Sequence, residues 1–297
     1  MRRPGKQSAF RRRYVRALEA HRKSVLAGTG ETWLPAFRFF VTFAARLLAA
    51  KNGVRFPARA VKDWYWTWRW RFEFLMGWLE EESVELAAEW IRPGTLVIDG
   101  GAHIGYYTRL FSRMAGKDGL VWAFEPETEN FGLLAGNVAG RSNVRLFEAA
   151  LGGNEQEALL HLSPGSTNHC LMPGYTANPG TLPIHIHALD AMDVPEYRAI
   201  FVKLDVEGSE LAALRGMART LHVFTEVFLL VECNPEALRV FGATPTDLLD
   251  ELGRFGLEVW TIGGAGLAPV DLGAVEGVSN WFCKKPLTGR LFSDFTG

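Results

Sequence analysis

Cysteine is scarce in this chain and forms no recognisable pattern. The 297 residues include three cysteines, Cys170, Cys233 and Cys283, in unrelated segments. This spacing excludes a disulfide framework and a cysteine metal cluster, and it is typical of reduced thiols in a cytoplasmic protein. A large net charge is also missing, since the chain has 32 Lys and Arg residues and 33 Asp and Glu residues. Hydrophobic residues make up 48% of the chain, which is enough for a sizeable core.

A long hydrophobic run without charges is absent as well. The most apolar stretch, residues 33–50, contains Arg38 and Arg46. Each arginine would cost roughly 2.5–3.5 kcal/mol at a bilayer centre. The stretch therefore predicts an amphipathic helix that either packs on the protein or lies in a membrane interface, and we favour packing.

The balanced total charge conceals an asymmetry along the chain. Residues 1–80 hold 17 Lys and Arg against 5 Asp and Glu, so they carry +12 and the remainder carries −13. Positive segments attract anionic lipid or nucleic acid. One interpretation is peripheral contact of residues 1–50 with an anionic membrane at its inner, cytoplasmic face; the alternative is a solvated tail.

Aromatic residues alternate with other residues between positions 64 and 74. A period of two predicts a strand with one aromatic face. Residues 77–91 then have the pattern of an amphipathic helix that ends before Pro93 and Gly94. We interpret residues 1–76 as a basic, aromatic-rich extension of helix and strand, and residues 77–297 as the main domain.

The stretch LVIDGGAHIG at residues 96–105 lacks one glycine of a dinucleotide-binding turn. Ala102 stands where the G-x-G-x-x-G fingerprint needs its middle glycine to admit a pyrophosphate. The frame D-x-G-x-x-x-G is complete through Asp99, Gly101 and Gly105. Glycines allow a sharp turn that lies against a ligand. An acid at this turn suits S-adenosylmethionine, which is cationic at its methionine end and has no phosphate.

A second acid, Glu125, ends the next apolar run, about twenty residues further on. A β-α-β unit places a carboxylate at this spacing against a ribose diol. Beyond it the pattern alternates between strand and helix, which predicts a parallel sheet with helices on both faces and a ligand at the carboxyl ends of the strands. The predicted strands are 96–99, 120–125, 144–148, 200–204, 226–232, 257–262 and 278–283. The predicted helices are 104–115, 127–138, 207–220 and 244–255.

Residues 151–190 interrupt this alternation with several Gly and Pro residues. They predict a hairpin followed by a long loop, and loops of that length in a compact domain are usually functional. We expect this segment to form a lid over the acceptor substrate.

Several motifs together resemble one family. They are VIDGGAHIGYYTRLFSRMAGKDGLVWAFEPETENFGLLAGNV, NVRLFEAALGG, ALDAM, VKLDVEGSELAALRGM and LLVECNP, which span roughly residues 77 to 283. In these motifs the chain resembles the FkbM family of S-adenosylmethionine-dependent methyltransferases. Gly100 and His103 depart from the family, which more often has an aliphatic residue and Asn at these positions. The resemblance implies a doubly wound, Rossmann-like class I fold with a mostly parallel seven-stranded sheet and an antiparallel last strand.

For S-adenosylmethionine we predict three sets of contacts. Glu125 would accept both ribose hydroxyls. The methionine end would lie near Asp99, Gly101, Ala102 and Gly105. The adenine would lie near Glu148 and Ala149.

For catalysis, methyl transfer to a hydroxyl needs an aligned acceptor and a general base. Asp205 and Glu207 end the fourth predicted strand beside the expected methyl position, and His169 lies in the predicted lid. Asp205 could instead cap the following helix. Asp205, Glu207 and Glu232 could also hold a divalent cation, which we do not favour.

The function that we predict is O-methylation of a hydroxyl on a sugar, glycolipid or secondary metabolite. One alternative is a nucleic-acid methyltransferase that uses the basic arm, although LDVEG stands where base methylation typically has an Asn/Asp-Pro-Pro-aromatic turn. A second alternative is a non-catalytic, membrane-associated scaffold. We expect the acceptor to be a small molecule or glycan, and the sequence predicts no particular oligomeric state.

Overall fold

Two compact units make up the chain. The computed structural model describes residues 11, 13–20, 34–57, 64–163, 169–173, 180–263 and 266–286. One unit comprises residues 1–54 and 60–81, and the other comprises residues 55–59 and 82–297. No helix in the described ranges combines the length and apolarity needed to cross a bilayer.

Helices form the first unit as far as it is described. Residues 13–20 are helical, followed by α1 (Leu34–Asn52) and α2 (Trp64–Met76). Their shared core contains Tyr14, Leu18, Val41, Ala45 and Phe72. The ring of Tyr14 packs on that of Phe72 with centroids 5.1 Å apart.

The predicted strand over 64–74 is wrong, because these residues lie in α2. Large residues occupy nearly every position here, so alternation of aromatics does not distinguish a helix from a strand. A helix satisfies its own backbone hydrogen bonds, whereas a strand needs a neighbouring strand. Arg69 and Glu73 form an ion pair 2.9 Å long. Their i, i+4 spacing is typical of a helix and was the feature of the sequence that favoured one here.

The second unit is built on an eight-stranded sheet and a smaller three-stranded sheet, within the residues described. The strands are β1 (Leu96–Gly100), β2 (Leu120–Phe124), β3 (Val144–Phe147), β4 (Ala150–Leu151), β5 (Gln156–His161), β6 (Thr181–His187), β7 (Ala199–Leu204), β8 (Glu226–Cys233), β9 (Glu258–Gly263), β10 (Gly266–Pro269) and β11 (Ser279–Lys284). The helices are α3 (Glu81–Trp90), α4 (Tyr106–Ala115), α5 (Thr128–Asn137), α6 (Glu210–Arg215), α7 (Ala218–Val223), α8 (Pro235–Val240) and α9 (Pro245–Arg254).

The large sheet has the order β10-β9-β11-β8-β7-β1-β2-β3. Strands β3, β2, β1, β7 and β8 are parallel, and β11 runs antiparallel between β8 and β9. This confirms the predicted doubly wound fold with an antiparallel last strand. The predicted count of seven strands misses β10, which pairs with β9 as an added edge strand.

Alternate residues of the central strands enter two different cores. Ile98 and Val202 belong to the core on one face of the sheet, and Val97 and Phe201 belong to the core on the other. Continuous apolar runs therefore mark these strands, because both of their faces are buried.

A break separates α6 and α7, which replace the single helix predicted over 207–220. Gly216 lies between them, and a Cβ built on it would be 1.9 Å from the Gly152 carbonyl oxygen. The close approach of another segment at Gly216 explains why glycine interrupts this helical sequence.

The segment predicted as hairpin and lid contains the smaller sheet. Strands β5 and β6 pair antiparallel, and β4 pairs parallel with β6. Residues 164–168 and 174–179 lie outside the described residues.

Candidate methyl-donor and acceptor site

The order in which the chain adds strands to the large sheet reverses next to β1, and this reversal positions the candidate site. The chain continues from β1 to β2 on one side, whereas β7 lies on the other side of β1. Crossover connections diverge there and leave a crevice at the carboxyl ends of the two strands. Asp99 in β1 and Asp205 after β7 lie at these ends.

The turn after β1 is tied to the end of β2. Gly101, His103 and Gly105 have φ of 78°, 50° and 88°, in the left-handed region. The backbone N–H groups of Gly101 and Ala102 both donate to the Phe124 carbonyl oxygen, at 3.1 and 2.9 Å. The turn therefore has a fixed shape before any ligand binds.

The two glycines of the D-x-G-x-x-x-G frame make room for the protein itself. A Cβ on Gly101 would lie 1.9 Å from the Asp205 carbonyl oxygen, and one on Gly105 would lie 2.8 Å from Leu134 Cδ1. We expected these positions to make room for a ligand. In the structure, the loop after β7 and helix α5 occupy the space beside these two glycines.

A matched pair of variants tests this packing. We expect Gly101→Ala to lower the free energy of unfolding by about 2 kcal/mol or more beyond Gly140→Ala. Both glycines have φ of 78°, but Gly140 has no atom within 4 Å of its Cβ position. Both variants share the cost of a left-handed alanine, so urea denaturation isolates the clash with Asp205. Equal losses would contradict the close approach.

Glu125 is buried, and backbone N–H groups orient it. His103 N–H donates to Glu125 Oε2 at 2.8 Å, and Glu127 N–H donates to Oε1 at 3.0 Å. Burial raises the pKa of Glu125 to about 7, against the opposing effect of these N–H groups and of an Asn130 side-chain hydrogen bond. The carboxylate joins the turn after β1 to the start of α5.

Asp99 is fully buried at the end of β1. The Thr108 hydroxyl donates to its Oδ2 at 2.6 Å. Burial raises the pKa of Asp99, while the nearby Lys203 ammonium opposes this increase. In this structure Asp99 contacts protein groups, and its contact with a cofactor stays a prediction.

The other predicted cofactor residues flank this region. Ala102 is buried in the turn, and Ala149 is buried just after β3. Glu148 is exposed beside Ala149. Their contacts with a methionine or adenine group likewise stay predictions.

Lys203 links the two sides of the crevice, a role that the motifs of the sequence did not indicate. It lies opposite Asp99 in the register of β7 with β1. Its Nζ is 2.9 Å from Asp205 Oδ2 and 4.9 Å from the centre of the Tyr107 ring. A lysine in an otherwise apolar, buried strand was the signal available, since such a charge is retained only when paired.

The loop after β7 carries the acids predicted for catalysis. Asp205 pairs with Lys203 and its side chain is 33% exposed, while Glu207 has a φ of 52°. The alternative role for Asp205 as a helix cap is wrong, because Ser209 is the N-cap of α6. Glu210 instead stabilises this loop, since its Oε1 accepts the N–H groups of Val206 and Gly208, both at 3.2 Å.

Glu210 and Glu232 complete a cluster of acidic residues at this edge of the sheet. Burial raises the pKa of Glu210 to about 7. Burial, and then repulsion from Asp205, Glu207 and Glu210, raise the pKa of Glu232 well above its ordinary range. Within the described ranges, no group of three or more His, Cys, Asp and Glu side chains has an arrangement that could hold a metal ion.

His169 lies next to a residue that contacts the acidic loop. Ser163 N–H donates to His169 Nδ1 at 3.0 Å, and the neighbouring Cys170 Sγ contacts the Glu207 carbonyl oxygen at 3.5 Å. The structure thus brings part of the predicted lid against the loop after β7. Cys170, Cys233 and Cys283 are free and buried.

The strand order, with acids at the ends of β1, β2 and β7, is that of a doubly wound, Rossmann-like fold with a ligand crevice at the carboxyl ends of its strands. A model of the FkbM methyltransferase domain matches residues 99–256, more than half of the chain. The chain belongs to the FkbM methyltransferase family, as its motifs indicated, and its methyl donor is S-adenosylmethionine.

Similar solved structures include three methyltransferase-fold proteins. A methyltransferase from Aquifex aeolicus has 14% identity and a TM-score of 0.41, covering 69% of this chain and 89% of that chain. Precorrin-6y C5,15-methyltransferase from Geobacter metallireducens has 15% identity, the same TM-score and the same coverage. Fibrillarin from Aeropyrum pernix, with natively bound S-adenosylmethionine, has 11% identity and a TM-score of 0.39, covering 68% and 76%. A search of curated protein sequences found no match.

Proposed function

We propose that the protein transfers a methyl group from S-adenosylmethionine to a hydroxyl of a sugar, glycolipid or other polyhydroxylated metabolite. The observation that carries this proposal is the cluster of Asp205, Glu207, Glu210 and Glu232 at the carboxyl ends of β7 and β8. A carboxyl group forms hydrogen bonds with neutral hydroxyls in either protonation state, and those that are charged repel the phosphates of a nucleic acid.

Asp205 is the proposed general base. Its side chain is partly exposed, and Lys203 orients it through one oxygen. Carboxylate Oδ1 is then left to accept the proton of the acceptor hydroxyl as the methyl group moves to that oxygen. S-adenosylmethionine supplies an electrophilic methyl group and leaves as a neutral thioether.

The cradle that we propose for the donor uses the turn after β1 and Glu125. Two N–H groups and an Asn130 side-chain hydrogen bond fix the Glu125 carboxylate at the end of β2, and we assign its remaining acceptor capacity to the ribose hydroxyls. Gly101, Ala102 and Gly105 supply backbone beside the methionine end, and Glu148 and Ala149 border the adenine. His169 and Glu207 are proposed to contact the acceptor.

Transfer of labelled methyl from S-adenosylmethionine to neutral glycans, lipids, small metabolites and RNA tests the proposal. We expect Asp205→Asn to lower kcat by about 100-fold to 10,000-fold with little change in donor affinity. Asp193→Asn, at an exposed aspartate, is the matched control. A labelled product that resists mild alkali is an ether rather than an ester. Label found in RNA, or full activity of Asp205→Asn, would overturn the proposal.

A further inference from the structure

A row of apolar side chains is exposed along α1. Phe39, Phe43 and Leu47 are 72%, 52% and 55% exposed. They are four residues apart and therefore share one face of the helix. The rings of Phe39 and Phe43 stack with their centres 6.0 Å apart. Single exposed apolar residues are ordinary, but a contiguous row marks a contact surface.

The opposite face of α1 is already covered by the first unit. Val41 and Ala45 are buried in the core that contains Tyr14 and Phe72. The helix is thus apolar on two sides, of which one stabilises the unit. A helix that faces water would carry polar residues on its second side.

The charge of the surrounding sequence indicates what this row binds. Residues 1–80 carry +12, and the exposed Arg46 and Lys51 lie on α1 itself. A second copy of the chain would bring like charges together. A nucleic acid would match the charge, but its bases stack on flat aromatic rings and offer no comparable contact to the aliphatic Leu47 side chain. The surface of an anionic bilayer satisfies both requirements.

We propose that α1 lies in the interface of an anionic membrane. Phe39, Phe43 and Leu47 enter the boundary between head groups and acyl chains, while the basic residues of this unit contact the lipid phosphates. The membrane contact concerns the first unit and does not depend on the identity of the methyl acceptor.

Vesicle flotation of the full chain tests this proposal. One set of vesicles contains phosphatidylcholine alone, and the other contains equal parts of phosphatidylcholine and phosphatidylglycerol. We expect the protein to float with the anionic vesicles at low salt. The triple variant Phe39→Ser, Phe43→Ser, Leu47→Ser should lose at least about tenfold in partitioning, since the three apolar side chains no longer leave water when the helix binds.

The matched control removes three exposed apolar side chains from the second unit, in Leu159→Ser, Val223→Ser, Val278→Ser. It should float like the unmodified protein. Circular dichroism and donor affinity show whether each variant is folded. Flotation of the α1 variant at the unmodified level would overturn the proposal, as would equal flotation with neutral vesicles. A dimer that dissociates only in the α1 variant would assign the row to a second copy instead.

Discussion

Glu125→Ala should weaken the binding of S-adenosylhomocysteine by about 100-fold or more while the protein stays folded. Two hydrogen bonds from ribose hydroxyls to a charged acceptor contribute about 1.5–3 kcal/mol each. The variant also releases the N–H groups of His103 and Glu127, which loosens the turn around the donor. Isothermal titration calorimetry measures the affinity, and thermal unfolding checks the fold.

The comparison that isolates this effect is Asp118→Ala. Asp118 is exposed and precedes β2, at the opposite end of the strand from Glu125. Its removal should leave affinity unchanged. Donor binding at normal strength in Glu125→Ala would contradict the ribose assignment and leave the family membership untouched.

The same carboxyl makes donor binding depend on pH. Burial raises the pKa of Glu125 to about 7 in the unliganded protein. Two hydroxyl donors favour its charged form, so at pH 6 binding must release a proton. Affinity should therefore fall by up to about tenfold per pH unit below 7 and level off above it. Glu125→Gln should bind more weakly and show no such slope, which titrations between pH 6 and 8 can test.

Lys203→Met should lower the free energy of unfolding by about 3 kcal/mol at pH 7, the lower end for a buried ion pair, because Lys203 is buried and Asp205 is partly exposed. Lys203 is buried 2.9 Å from Asp205, and its charge opposes the increase in the pKa of Asp99. Without it, two acids face each other across β1 and β7 with no compensating cation from this position. Urea denaturation measures the loss.

A second substitution distinguishes lost charge balance from lost packing. Adding Asp99→Asn to Lys203→Met removes one of the two uncompensated acids, so the double variant should regain part of the stability. Lys117→Met, at an exposed lysine, should change stability little. Failure of Asp99→Asn to restore any stability would indicate that packing against Tyr107, rather than charge, makes Lys203 important.

The central sheet could be predicted because its strands are marked by burial on both faces. Runs such as 96–98 and 120–124 are short, apolar and flanked by Gly or Pro residues, which favours buried strands over helices. The segment 64–74 could not be assigned in this way, because helix and strand both accommodate its dense aromatics. The split at Gly216 depends on Gly152, which is distant in sequence and approaches only in the folded protein.

Some roles of the acids in the site could likewise be predicted from the sequence, and others could not. Glu125 could be found from its spacing after the turn, since the β-α-β unit fixes that spacing locally. The pairing of Lys203 with Asp205 and the internal role of Glu210 depend on burial at the sheet edge. Burial of an individual charge is a tertiary property, and the linear pattern did not reveal it.

The backbone conformation and close packing of the turn after β1 also limit which residues can occupy its positions. Position 101 is closed to every side chain, because the Asp205 carbonyl occupies the space beside it. Position 103 also has a left-handed backbone, a conformation that histidine and asparagine both tolerate. Exchange of histidine and asparagine at position 103 is thus neutral for the backbone, whereas any side chain at position 101 would displace the loop after β7.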